Sequence, residues 1–281
     1  MSLVADFPGY FQVFSDGSVK RYERETAPAS IDSSSNGYKS KDVIISSTKP
    51  ISARIFLPDT LDSSSHLPVL VYFHGGGFCA VSTTWLGHHT FLGDFAVASQ
   101  SIVLSVDYRL APENRLPIAY DDCYSSLEWL SCQASSDPWL ERADLSRVFL
   151  SGDSSGGNIV HNERTEKERA SGEAENVAKT DLLWKLSLPE GSNRDHPWCN
   201  FEKAELSRAE WSRYPPVLVY VAGSDFLKER GVMYATFLEK KGVEVKLVEA
   251  EGEVHVYHVL HPESKATRLL QKQMSEFIHN F

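Results

Sequence analysis

Short apolar runs alternate along this chain with longer segments whose apolar residues recur at helical spacing. The pattern predicts strands at 42–47, 52–57, 67–73, 101–107, 146–151, 216–222 and 243–249. It predicts helices at 86–98, 118–131, 228–241 and 262–279. In the last helix Leu269, Leu270, Met274, Phe277 and Ile278 form the predicted buried stripe. Strands alternating with helices imply a largely parallel sheet covered on both faces. Residues 1–40 are polar and serine-rich toward their end, and read as an N-terminal arm placed to cover a pocket.

Glycine-bearing turns directly follow four of the predicted strands. After Val148-Phe149-Leu150 comes Gly152-Asp153-Ser154-Ser155-Gly156, the pattern of a sharp strand-to-helix turn that presents a serine hydroxyl. After Leu67 to Phe73 comes His74-Gly75-Gly76-Gly77-Phe78, whose bare amides suit an oxygen that turns negative during acyl transfer. Asp225 follows the run Val217 to Val221, and His255 follows Val243 to Val248. The order Ser154, Asp225, His255 is that of nucleophile, orienting acid and general base. His258 and His261 compete with His255 for the base, and Asp195 with Asp225 for the acid. His255 is preferred because it follows a glycine-containing turn after a strand, and Asp195 has no strand before it.

On these motifs the chain resembles the plant carboxylesterases of the hormone-sensitive-lipase-like group, within the α/β-hydrolases. The resemblance extends to Asp107-Tyr108-Arg109-Leu110-Ala111-Pro112-Glu113, Pro117-Ile118-Ala119-Tyr120-Asp121-Asp122 and Gly152 to Asn158, and covers nearly the whole chain. It implies an α/β fold, the α/β-hydrolase fold, with a mostly parallel central sheet, helices on both faces and a single domain over 1–281. It further implies an oxyanion hole made by the amides of Gly76, Gly77 and Ser155, with Gly75 shaping the loop. The implied activity is hydrolysis of a small-molecule carboxylic ester through an acyl-enzyme, with no cofactor and no metal. Two alternatives share the fold. One is a hormone receptor related to the gibberellin receptor, a type that has lost the catalytic histidine, whereas His255 and the third glycine, Gly77, are kept here. The other is a lyase or cyclase.

Three further features bear on the site. Arg109 and Glu113 are expected to pair and fix the loop behind the oxyanion hole. Trp184, Trp198 and Trp211 are either core or the wall of an acyl pocket. Cys79, beside the glycine loop, reads as a pocket-wall residue and not a catalytic thiol.

One interval departs from the family pattern. From His161 to Thr180 the chain is almost wholly polar, with Val177 the sole large aliphatic. A helix of about 11 residues, a strand of about 6 and their connections belong between Ser154 and Asp225, so roughly 25–40 residues are missing. The break falls near Asn162–Glu163, and 163–212 reads as an irregular, lid-like region. Either the numbering closes over residues, or the chain is a variant lacking the segment, or the fold tolerates the loss. A real deletion predicts weak stability and poor turnover, because it leaves unpaired sheet edges.

Composition narrows the partners. A length of 281 residues suits one large α/β domain, and 42% hydrophobic residues supply its core. The net charge of −10 argues against nucleic acid and anionic membrane. No run of 18 apolar residues is present, and the N-terminus lacks the basic start of a signal peptide. The four cysteines show no metal-ligand spacing, so a reduced, cytoplasmic and also nuclear placement is expected.

Overall fold

The structure, a computed structural model, describes all residues except 33–35, 60–65, 161–173 and 204–205, and the side chains of 174–178 also lie outside the description. In chain order the elements are β1 (Leu3–Phe7), β2 (Phe11–Phe14), β3 (Val19–Arg21), β4 (Tyr38–Ser46), β5 (Ile51–Pro58), β6 (Leu67–Phe73), α1 (Leu86–Ser99), β7 (Ile102–Asp107), α2 (Ile118–Gln133), β8 (Ala143–Gly152), α3 (Ser155–Val160), α4 (Ala174–Ser187), α5 (Arg208–Trp211), β9 (Val217–Ala222), α6 (Lys228–Lys240), β10 (Val245–Ala250), α7 (Tyr257–Leu260) and α8 (Lys265–Asn280). The chain divides into two compact units, one of residues 1–160, 186–189 and 258–281, the other of 161–185 and 190–257.

The first unit holds a five-stranded sheet in the order β4-β5-β7-β6-β8. It is mixed rather than mostly parallel: β4 pairs β5, and β5 pairs β7, antiparallel, while β7-β6-β8 run parallel. The connection from β4 to β5 is only a short turn, which can join antiparallel neighbours but is too short for a parallel crossover. β6 is buried at all seven positions and β7 at five of six. That is why these strands read as unbroken apolar runs instead of alternating ones. Helices lie on both sides of the sheet. α1 packs on β4, β5 and β7 and carries α8, while α3 packs on β6 and β8 and touches α2.

α8 begins at Ser264, whose hydroxyl accepts the Thr267 amide at 3.1 Å, a side-chain N-cap. Its buried face is Thr267, Leu270, Gln271 and Ile278. Leu269, expected in the stripe, is 52% exposed. Leu270, one residue later, turns inward, and the buried Gln271 amide donates to the Phe91 carbonyl of α1 at 3.1 Å.

The N-terminal arm contains a small antiparallel sheet, β1-β2-β3, which the sequence pattern did not predict. Strands of three to five residues are too short to register as alternation. Arg21, at the end of β3, ties this sheet to the glycine loop's neighbourhood. Its guanidinium donates to the Cys79 and Ala111 carbonyls at 2.9 Å each and grips the Glu113 carboxylate at 2.6 and 2.8 Å. Glu113 therefore pairs with Arg21 and not with Arg109. Arg109 instead holds the buried Asp122 of α2 at 2.7 and 2.8 Å. Both expected partners are paired, each with a residue from another element.

The second unit holds a two-stranded parallel sheet, β9-β10, with α6 packed on both strands. Trp211 is core here: it sits with Leu238 and Val243, with Tyr214 and Phe237 packed against that cluster. α4 lies inside the interval 163–212 that reads as irregular. The break near Asn162–Glu163 falls outside the described residues. Among the described residues no helix is long and apolar enough to cross a membrane. Cys79, Cys123 and Cys199 are buried, Cys132 is exposed, and none of the four forms a disulfide.

Candidate active site

The serine lies in the first unit. Ser154 lies two residues past the end of β8 and takes φ +52°, a left-handed backbone that a serine adopts only where its surroundings impose it. The two flanking glycines explain how. A Cβ on Gly156 would run into the Phe73 carbonyl, and one on Gly152 would come within 2.5 Å of the Gly156 backbone. β8, the tip of β6 and the start of α3 therefore meet at van der Waals limits, and the chain can turn there only without side chains at 152 and 156. The Gly156 amide closes the turn on the Asp153 carbonyl at 2.7 Å. Tyr120 of α2 steadies α3 by donating to Asn158 at 2.8 Å.

The glycine loop faces this turn within the same unit. Gly76 and Gly77 have φ of +97° and +62°, and Phe78 continues at +63°. A Cβ on Gly76 would strike the Ala80 carbonyl. The three glycine amides are not equivalent. The Gly75 amide donates to the Asp153 carboxylate at 2.9 Å, which removes it as a donor to anything else. The Gly76 and Gly77 amides have no hydrogen-bond partner among the described residues. Ser155 opens α3, where an amide has no intrahelical acceptor, and its hydroxyl accepts the Phe78 amide at 3.2 Å. His74 is fully buried, stacked on Tyr108 at 4.3 Å, with its Nδ1 2.8 Å from the Gly75 carbonyl. Burial lowers its pKa, only partly offset by the charge of Asp107, so it acts as a neutral prop for the loop.

Beneath the serine lies a polar cluster that sequence reasoning missed. The Asp153 carboxylate accepts from the Tyr72 hydroxyl at 2.7 Å and lies 3.5 Å from His88 Nε2. Burial pushes its pKa up, but His88, the nearby charge of His258 and the Tyr72 hydroxyl outweigh this and hold it well below the ordinary carboxylate range. Tyr72 is correspondingly raised, by burial first and by the Asp153 charge next. The variable position of a Gly-x-Ser-x-Gly pattern gives no hint of this, because the partners come from β6 and α1.

The acid and the histidine lie in the second unit. The Asp225 carboxylate is oriented at both oxygens: Oδ1 accepts the Leu227 amide at 2.8 Å, and Oδ2 lies 2.8 Å from His255 Nδ1. With Nδ1 donating to the carboxylate, Nε2 is the basic nitrogen. The loops carrying the two residues are fastened to each other. Ser224 donates its amide to the Glu253 carbonyl at 2.8 Å, and a Cβ on Gly223 would come within 2.8 Å of the Gly252 nitrogen. Phe226 lies against the His255 ring at 4.9 Å. The rivals are placed elsewhere. His258 packs against Phe91 at 4.7 Å, with Nε2 3.5 Å from the Tyr72 hydroxyl. Asp195 donates its amide to the Asn193 side chain in a turn.

Cys79 is fully buried, and burial raises its thiol to about 12. It is protonated at neutral pH and is part of the wall behind the loop. Among the described residues no cluster of His, Cys, Asp or Glu suits a metal ion.

Comparison with known proteins supplies the lineage. A family described as having the α/β-hydrolase fold matches residues 70–166 and 161–259. A probable carboxylesterase 6 of Arabidopsis thaliana is 34% identical, over 99% of this chain and 92% of that protein. A 2-hydroxyisoflavanone dehydratase of Glycyrrhiza echinata is 30% identical, over 97% of this chain and 95% of that protein. Among solved structures, an esterase of Pyrobaculum calidifontis superimposes with a TM-score of 0.69 at 26% identity, over 85% of this chain and 84% of that one. The family match is split at 161–166, and the alignment to the Arabidopsis protein runs over 319 positions against 281 residues here. At least 38 of those positions (319 less 281) therefore have no counterpart in this chain. On the matched family and the identity to these relatives, the chain belongs to the plant carboxylesterase family of α/β-hydrolases.

Proposed function

We propose that the protein is a serine carboxylesterase that hydrolyses a small-molecule ester through an acyl-enzyme. Ser154 attacks the ester carbonyl while His255 Nε2 takes the hydroxyl proton. Asp225 keeps the imidazole in its Nδ1-protonated form and stabilises its charge. The oxygen of the tetrahedral intermediate rests on the amides of Gly76, Gly77 and Ser155. His255 returns the proton to the departing alcohol, and water then releases the acid by the same steps in reverse. The observation that carries this reading is the 2.8 Å bond between His255 and a carboxylate already oriented at its other oxygen. The unpartnered amides of Gly76 and Gly77 support it.

The test is hydrolysis of a short p-nitrophenyl ester. Ser154→Ala is expected to lower kcat at least ~1,000-fold and abolish labelling by a fluorophosphonate, with the melting temperature unchanged. Retained activity and labelling would sink the assignment. A second reading, elimination of water, is favoured by the dehydratase among the relatives. There His255 would remove a proton next to a carbonyl while the same amides hold the enolate oxygen; collapse of the enolate would break the bond to the β-hydroxyl, which takes the proton back from His255 and leaves as water. Turnover of a β-hydroxy ketone to the unsaturated ketone, with no ester hydrolysis, would select it.

A further inference from the structure

We propose that Asp153 is a positioning residue for ester hydrolysis, its buried carboxylate clamping the glycine loop to the serine turn and so setting the direction of the Gly76 and Gly77 amides. The inference rests on the serine-esterase reading above. Three segments converge on one carboxylate oxygen, Oδ1: the Gly75 amide at 2.9 Å, the Tyr72 hydroxyl of β6 at 2.7 Å and His88 Nε2 of α1 at 3.5 Å. The other oxygen, Oδ2, fills the space where a side chain at position 75 would stand. The carboxylate belongs to the residue immediately before Ser154, and the amide it holds immediately precedes the two proposed oxyanion donors. A shift at Asp153 is therefore passed to both sides of the reacting carbonyl. His88 supports the arrangement from behind. Its two ring nitrogens have no partner within hydrogen-bond geometry among the described residues, and the Asp153 carboxylate lies 3.5 Å from Nε2. An ionised acceptor binds an amide more tightly than a neutral one. The charge of Asp153, and not its volume alone, is thus what holds Gly75.

Asp153→Asn keeps the shape and one acceptor but removes the charge. Wild type and variant are compared per site titrated with a fluorophosphonate, so that unfolded protein does not count. The expected result is a kcat at least tenfold lower with KM within threefold, and a matching rise in the inhibition constant of a trifluoromethyl ketone, whose hydrate mimics the oxyanion. A residue with a merely structural part would lower the titratable fraction and leave these per-site values alone. If Asp153→Asn does not fold, Tyr72→Phe and His88→Gln carry the test, each expected to lower kcat three- to tenfold at constant KM. An active wild type with per-site kcat within twofold in every folded variant overturns the clamp alone. A wild type that neither hydrolyses esters nor takes the phosphonate overturns the esterase reading with it.

Discussion

The strands beneath the serine and those beneath the histidine are built to different standards. β6, which leads into the glycine loop, is buried along its whole length and hydrogen-bonded on both sides, to β7 and to β8. β10, which leads toward His255, has no fully buried position and pairs only with β9 among the described residues. Yet both loops are fixed, because each is fastened at the loop itself: Asp153 on Gly75 in one, Ser224 on Glu253 and Asp225 on His255 in the other. Loop geometry can thus be set by a few short bonds even where the supporting sheet is thin. What the thin sheet lacks is reserve, since elements with few buried contacts open at low free energy.

The sharpest way to probe the comparison is chemical. His255→Ala is expected to lower kcat at least ~1,000-fold in the ester assay, because the general base is lost while the amides remain. A loss below tenfold would show that the second loop contributes little. Next comes the packing of the first half. Gly156→Ala drives a methyl group into the Phe73 carbonyl and is expected to destabilise the chain by about 3 kcal/mol, measured by urea unfolding. The equivalent change in the second half, Gly223→Ala, should cost less, since its neighbours there are loops.

A smaller effect is expected from adding length. Grafting into this chain, between 162 and 163, the residues that the Arabidopsis relative has in addition should raise kcat about tenfold and slow amide exchange in β9 and β10, if the thin sheet limits turnover. Equal rates with and without the graft would end that explanation.

The smallest concerns acid. His89 is lowered to about 4 in the folded chain, by burial first and by the charge of Arg54 next, against about 6.5 when unfolded. Between these values the unfolded chain binds the proton and the folded one does not. This contribution to stability is therefore complete above pH about 6.5 and is lost as pH falls toward 4. Thermal melts should drop by several degrees from pH 7 to 4.5, and His89→Asn should flatten that slope.

Much of this architecture was legible in the sequence because long apolar runs and helical periods are local signals. The helix starts at 86, 118 and 228 and the strand 67–73 are placed as the pattern predicts. The spacing of the serine, acid and histidine motifs also singled out the bonded Asp225–His255 pair from ten histidines. What escaped was pairing. Arg109 and Glu113 stand four apart and invite a match, but Asp122 and Arg21 lie nearer in space. Asp153 gave no signal because its partners Tyr72 and His88 are some 80 and 65 residues away in sequence. Leu269 and Leu270 are equally apolar, and only the seating of α8 on α1 decides which of them turns inward.

The sulfur chemistry has a practical side. Three thiols are sealed in the interior, one of them raised to about 12, while Cys132 stands exposed near the end of α2. The chain thus carries a native single attachment point for a maleimide dye or spin label, with no engineered cysteine required.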